Sequence, residues 1–145
     1  MAPATVVTGF LGAGKTTLAE WLKAHYYNNG IIIDGDDIRD VYQNKDYSEE
    51  GRRKNIEKAQ DLALFLHHKN FTPIVSLVSP YRDQRESFKQ RMGNNIKEIY
   101  VHTLNIRGRE QFHVQNYEPP IENYIDADTT NEDQYLSFQK IKKYL

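Results

Sequence analysis

The residues with the clearest chemical meaning lie near the start of the chain, where Gly-Phe-Leu-Gly-Ala-Gly-Lys-Thr occupies positions 9–16. The three glycines allow positive φ, so that successive backbone N–H groups can turn around an anion. Lys15 can then reach the β- and γ-phosphate oxygens of a nucleotide, and the Thr16 hydroxyl suits Mg²⁺. The segment therefore predicts a phosphate-binding loop. We assign the nucleotide contacts to Gly9, Phe10, Leu11, Gly12, Ala13, Gly14, Lys15, Thr16 and Thr17.

The flanking elements place this loop where phosphate binding requires it. Residues 5–8 form an apolar run typical of a buried strand, and residues 16–27 carry Leu18, Trp21 and Leu22 at helical spacing. A helix start adds unpaired N–H donors and the positive end of the helix dipole. The strand, loop and helix together favour phosphate binding over a chance glycine-rich turn.

A second polar group, Asp-Gly-Asp-Asp-Ile-Arg at 34–39, follows the apolar run 31–33. In an open α/β sheet, ligands bind at the carboxyl ends of the strands. A carboxylate there could accept the proton of an attacking hydroxyl or hold Mg²⁺ through water. Asp34 is the candidate for catalysis and metal binding, and Asp36 is a further catalytic candidate. For Asp37 we expect a helix cap.

Apolar runs and helical patterns alternate along the whole chain. Strands are predicted at 5–8, 31–34, 74–78, 96–102 and 124–127. Helices are predicted at 16–27, at 50–68, from Pro80 to about Met92, and after a capping box at Thr130 and Asp133. This order predicts an α/β fold, a three-layer α/β/α domain with a five-stranded parallel sheet. The aperiodic stretch 104–123 is typical of a lid or binding loop.

The third strand is followed by Ser79, which suits either a cap or a substrate contact, and by Arg82 and Arg85. We expect these two arginines to be ordinary surface charges on the next helix.

Bulk composition narrows the class of protein. The 145 residues suit a single domain, 1–145, and the 19 basic and 20 acidic residues give a net charge of −1. Without an excess of positive charge, a small nucleotide substrate is favoured over nucleic acid. There is no cysteine, and we find no signal peptide or membrane-spanning segment. We therefore expect a cytoplasmic protein without membrane partners, and a homodimer is left open.

Five segments of the chain, in order and spacing, resemble the adenylylsulfate kinases. They are 9–17, 34–39, 47–56, 78–82 and 117–120. The first is the only strong motif by itself, but the ordered set covers nearly the whole chain. The resemblance implies a P-loop NTPase fold of the nucleotide kinase type. It also implies transfer of the ATP γ-phosphoryl group, with Mg²⁺, to the 3′-hydroxyl of adenosine 5′-phosphosulfate in sulfate assimilation.

The resemblance also implies roles for particular residues. It assigns the acceptor to Asp36, Arg39, Tyr47, Arg52, Asn55, Val78, Ser79 and Phe112. Arg39, Arg52 and Asn55 fall where the family contacts phosphosulfate and ribose, although Arg52 and Asn55 equally suit a solvated helix face. Tyr47 stands where the family has a Phe that stacks on adenine, and Phe112 is a candidate for the other side. Ser79 corresponds to a serine described as a phosphorylated intermediate, which an in-line hydroxyl acceptor does not need.

The segment after the fourth strand departs from the family. Its lid usually carries an Arg-Asp pair, a Lys-Gly-Leu-Tyr stretch and Gly-Phe-Thr-Gly, of which only residues 104–112 remain here. Arg107 or Arg109 is the candidate to replace the lost cations over ATP. A shorter lid closes less fully and can admit a larger acceptor.

Two alternatives follow. One is a kinase for another nucleotide conjugate or for a hydroxymethylated base, including one in DNA. The other is a GTPase switch or metallochaperone, since residues 8–17 also resemble the start of the cobalamin-synthesis-type GTPases. Against the second, the guanine motif has the wrong spacing at 44–46 and cysteine is absent.

Overall fold

The computed structural model describes residues 4–9, 15–93, 95–103, 117–130 and 133–145. The strands within these ranges are β1 Ala4–Gly9, β2 Gly30–Asp34, β3 Thr72–Ser76, β4 Ile96–His102 and β5 Ile125–Asp128. The α-helices are α1 Lys15–His25, α2 Gly35–Tyr42, α3 Glu49–His68, α4 Arg82–Arg91 and α5 Gln134–Ile141, followed by a 3₁₀ turn at Lys142–Tyr144.

The described strands join in one sheet of order β2-β3-β1-β4-β5, and every pair is parallel. Parallel neighbours need a crossover connection between them, and α1 to α4 lie in the connections that lead from β1 to β4. The α/β architecture expected from the alternation is therefore confirmed. Ser76 on β3 pairs with Asp34 on one side and with Val7 on the other, so the β2 and β1 ends lie at the same edge.

Two hydrophobic clusters show how the helices cover both faces of the sheet. Ile74 packs in the cluster that holds α1 and α5, whereas its neighbour Val75 packs with α2, α3 and α4. Successive strand residues point to opposite faces, so these clusters are the two interlayer cores. The predicted three-layer arrangement is present in the described part of the chain.

Helix starts differ from the predictions in three places, always because the capping residue comes earlier or later than expected. The helix α2 begins directly after β2, with Asp34 as its N-cap, so the cap predicted at Asp37 is wrong. The helix α4 begins at Arg82 rather than at Pro80. The last helix is capped by Asp133, whose side chain accepts the Tyr135 N–H.

The expectation that Arg85 is a surface charge is also wrong. Arg85 is 3% exposed and pairs with the buried Glu98 of β4. Glu98 follows Lys97 in β4, so no local pattern in the sequence singles it out as the buried partner of Arg85.

Candidate active site

The donor half of the candidate site lies between β1 and α1. The strand ends at Gly9 and the helix begins at Lys15, so the strand and helix predicted on either side of the loop are confirmed. Lys15 is 7% exposed, the next residue Thr16 is exposed, and Thr17 is half-buried. The predicted phosphate contacts Phe10, Leu11, Gly12, Ala13 and Gly14 lie outside the described residues.

Asp34 closes β2 at the same sheet edge. Its Oδ1 accepts the Asp36 N–H at 2.8 Å, which caps α2 and orients the carboxylate across the start of that helix. The register places Asp34 two strands from Val7, about 10 Å between backbones. Asp36 itself is exposed in the first turn of α2. Both candidate carboxylates therefore lie at the carboxyl edge of the sheet.

Arg39 organises the loop that follows α2. Its Nη1 donates to the carbonyl oxygens of Asn44 and Asp46, each at 3.1 Å, and its guanidinium lies 4.1 Å from the centre of the Tyr47 ring. Tyr47 is 70% exposed, so the ring presents its surface to solvent. The arrangement fits a platform for a planar base, supported from below by a cation.

Sequence reasoning missed the residues that fix this platform. Asn44 Nδ2 donates to the Gly51 carbonyl at 2.9 Å, and Asn44 Oδ1 accepts the Asp46 N–H at 2.9 Å. A Cβ on Gly51 would overlap both the backbone and the side chain of Asp46, so only glycine allows this approach. The available signal was the polar run 43–48 between two helices, where Asn and Asp side chains commonly form turns.

The pKa of the Asp46 carboxyl is lowered, first by a hydrogen bond from the Ser48 side chain and then by one from its backbone. The Ser48 N–H donates to Asp46 Oδ1 at 2.9 Å, and Ser48 is also the N-cap of α3. The carboxylate therefore remains charged at neutral pH and connects the loop to the start of the helix.

Asn55 faces the start of α2 from α3, and Arg52 lies about one turn earlier on the same helix. Asn55 is 7% exposed, and its Nδ2 donates to the Gly35 carbonyl at 3.2 Å. Its Oδ1 and the Nε of Arg52 are buried without a hydrogen-bond partner within the described ranges. The solvated-face interpretation is thus wrong for Asn55. A buried polar atom without a partner costs about 1–3 kcal/mol, which a polar ligand can offset.

Ser79 follows β3 with φ 41°, in the left-handed region, and is 3% exposed. It does not cap α4, because Tyr81 is the N-cap and makes no side-chain cap bond. Val78 beside it is half-buried. The remaining candidates, Arg107 and Phe112, lie outside the described residues.

Comparison with known proteins places these observations in a family. The family model described as adenylylsulphate kinase matches residues 2–119, most of the chain. The chain belongs to the adenylylsulphate kinase family. The match takes in four of the five segments entirely and all but the last residue of the fifth. The resemblance inferred from the five segments is thereby confirmed.

Two curated relatives differ in how much of their length is matched. An adenylyl-sulfate kinase of Buchnera aphidicola is 35% identical over 101 residues, covering 66% of this chain but only 49% of the relative. An adenylyl-sulfate kinase of Pseudomonas aeruginosa is 29% identical over 167 residues, covering 99% of this chain and 85% of the relative. The first alignment thus spans about half the length of the curated relative.

Among solved structures, the Mycobacterium tuberculosis APS kinase in complex with AMPPNP and APS superposes with a TM-score of 0.78. The match covers 97% of this chain and 96% of that one at 16% identity, which supports a common P-loop kinase fold. Across the described residues, no helix is long and apolar enough to cross a membrane, and no group of three or more His, Asp or Glu side chains is arranged to hold a metal.

Proposed function

We propose that this chain is an adenylylsulfate kinase that transfers the γ-phosphoryl group of ATP to the 3′-hydroxyl of adenosine 5′-phosphosulfate. The observation that carries the proposal is the pair of buried, unpartnered atoms Arg52 Nε and Asn55 Oδ1, in a chain of this family. One is a donor for the anionic phosphosulfate and the other is an acceptor for a ribose hydroxyl. The relatives named above carry the same activity in their names.

On the donor side, Lys15 and the backbone of residues 9–14 would hold the phosphates of ATP. Thr16 and Asp34 supply the hydroxyl and carboxylate oxygens that Mg²⁺ prefers, so these residues fit the metal. When bound there, Mg²⁺ would offset negative charge on the β- and γ-phosphates. Lys15 is nearly buried at the start of α1. It would attract the phosphates more strongly than an exposed lysine, because less water screens its charge.

On the acceptor side, Tyr47 would stack on adenine, while Arg39, Arg52 and Asn55 would fix the phosphosulfate and the ribose. The 3′-oxygen then attacks the γ-phosphorus, the bond to the β-γ bridging oxygen breaks, and ADP leaves. The hydroxyl proton passes to a carboxylate at the end of β2, for which Asp34 and Asp36 are the candidates. Positioning and charge neutralisation supply most of the catalysis.

The direct experiment combines the purified chain with ATP, Mg²⁺ and adenosine 5′-phosphosulfate and measures ADP and the 3′-phosphorylated product. We expect the two products in equal amounts. Lys15→Ala should abolish turnover, whereas Lys23→Ala, which removes an exposed lysine of the same helix, should not. Parallel reactions with 5′-AMP and with hydroxymethylated nucleosides test the acceptor. Turnover no higher than that of the Lys15→Ala variant, or a preference for another acceptor, contradicts the proposal.

A further inference from the structure

The ion pair between α4 and β4 is almost completely buried. Arg85 Nε lies 3.0 Å from Glu98 Oε2, with the two side chains 2% and 1% exposed, and Lys89 Nζ lies 2.7 Å from Glu98 Oε1. Removing such charges from water costs free energy that apolar side chains of similar volume would not incur. A network of this kind therefore calls for an explanation besides packing.

The other nitrogens of Arg85 hold backbone carbonyls. Nη1 donates to the Ser79 oxygen at 2.8 Å, and Nη2 donates to the Glu118 oxygen. The guanidinium also lies 5.3 Å from the centre of the Tyr117 ring. One planar group thus joins β4, the loop after β3, and the segment that begins at Tyr117. Lysine cannot reproduce this set of contacts, because its ammonium group is a single point charge.

Further contacts link the same two segments. The Glu118 N–H donates to the Pro80 carbonyl at 3.0 Å, and Arg82 Nε donates to the Pro119 carbonyl at 2.9 Å. Glu118 Oε1 accepts the Arg82 N–H at 2.8 Å, which supplies the cap that Tyr81 does not give to α4. We call residues 79–82, Arg85 and residues 117–119 the clasp.

The clasp joins two segments that are distant in the sequence and that both carry the family resemblance. Segments 78–82 and 117–120 are bonded directly to each other, with Arg85 beneath both. Ser79 has a φ of 41°, a conformation that a residue with a side chain adopts only when its surroundings impose it. The carbonyl of this same residue is held by Arg85.

We propose that Arg85 is a positioning residue for the acceptor, acting through the carbonyls of Ser79 and Glu118 to fix the loop at Val78 and Ser79. This inference rests on the proposed function, in which that loop contacts the acceptor. Arg85 itself touches neither substrate. Its loss should therefore impair use of the acceptor while leaving ATP binding intact, since the phosphate-binding loop follows a different strand, β1.

The test is the Arg85→Lys variant, which keeps the charge opposite Glu98 but cannot hold both carbonyls. We expect KM for adenosine 5′-phosphosulfate to rise about tenfold or more, with KM for ATP within about twofold of the parent chain. Arg91→Lys is the matched control, because Arg91 lies on the same helix and pairs with Asp61 at the exposed surface. The control should behave as the parent chain.

The outcomes separate the two proposals. A parent chain without turnover overturns both. An active parent chain with unchanged acceptor KM in Arg85→Lys, or with equal rises in both KM values, overturns only the positioning role. If Arg85→Lys does not give the circular dichroism of the parent, Glu118→Ala loosens the clasp from its exposed side. A selective rise in acceptor KM of about threefold or more then supports the proposal, and unchanged kinetics overturn it.

Discussion

The Asn55 side chain makes a structural hydrogen bond and is also the proposed partner of a substrate hydroxyl. Half of its amide is bonded to Gly35, at the start of α2, and the other half is buried without a partner in the described part of the chain. The Cβ that glycine lacks at position 35 would lie 3.9 Å from the Asn55 nitrogen, so the helix start and the amide are in close contact. A substrate hydroxyl would satisfy the remaining oxygen.

Replacing Asn55 by Ala should therefore affect catalysis more than stability. We expect kcat/KM for adenosine 5′-phosphosulfate to fall about tenfold or more, because the bound ribose hydroxyl would be left buried without a partner, at a cost of about 1–3 kcal/mol. The free energy of unfolding should fall by no more than about 1 kcal/mol, since the bond to Gly35 is the one hydrogen bond removed within the described residues. Steady-state kinetics and urea unfolding measure the two effects. Glu57→Ala, at an exposed position of α3, is the control, and equal kinetics for both variants would contradict the assignment.

At the scale of elements, the start of α3 and the loop before it depend on the close approach of Gly51 to Asp46. Ser48 Oγ accepts the Gly51 N–H at 3.3 Å, and Asn44 Nδ2 donates to the Gly51 carbonyl. The N–H and the carbonyl of Gly51 are thus both hydrogen-bonded. Asp46 lies so close to Gly51 that no side chain with a Cβ fits there. The position of Tyr47, between Asp46 and Ser48, follows from this packing.

Gly51→Ala should accordingly displace the loop and destabilise the domain. We expect a loss of about 1–3 kcal/mol in the free energy of unfolding, as for other overpacked sites, despite the better helix propensity of alanine. Fluorescence-monitored urea denaturation gives the loss. The effect on KM for the acceptor should exceed that on KM for ATP, because Tyr47 moves with the loop. A variant as stable as the parent chain would contradict this prediction, since the loop would then move away from the added Cβ without loss of stability.

At the scale of the whole molecule, ionisable side chains with shifted pKa values set the pH range in which the fold is stable. Hydrogen bonds from Ser48, Arg53 and Thr130 lower the pKa of Asp46, Asp83 and Asp128 respectively. Burial raises the pKa of Tyr100, and the nearby Asp126 adds to this. Carboxyls with lowered pKa stabilise the fold above their unfolded-state pKa and lose that contribution as pH falls through the folded value. A phenol with raised pKa destabilises the fold once pH exceeds its unfolded value.

Thermal stability should therefore form a plateau near neutral pH. We expect the unfolding midpoint to fall below about pH 4 and again above about pH 10, the unfolded-state values for Asp and Tyr. Calorimetry across this range is the measurement. Tyr100→Phe should weaken the decline at alkaline pH and leave that at acid pH unchanged. A midpoint that falls steadily between pH 7 and pH 5 would mean that other groups control stability.

Much of the fold could be predicted because its signals are local. The glycine spacing at 9–14 and the alternation of apolar runs with helical patterns depend on neighbouring residues, and the observed strands and helices follow them closely. Helix starts were less predictable, since Asp34, Asp36 and Asp37 all suit an N-cap and only the packed backbone decides among them. The burial of Arg85 was not predictable from its helix, because its partner Glu98 is on another element.

The sequence by itself determined the phosphate-binding loop, the family, and the candidate residues of the acceptor side. Each of these depends on the residue types and spacing within short segments of the chain. Only the tertiary structure decided what holds those segments in place. Arg39 supports Tyr47, and Arg85 joins the segments at 78–82 and 117–120. These contacts connect residues that are far apart in the chain. They exist only when the sheet and helices are assembled, and the cost of burying their charges is then offset by bonds that no local pattern specifies.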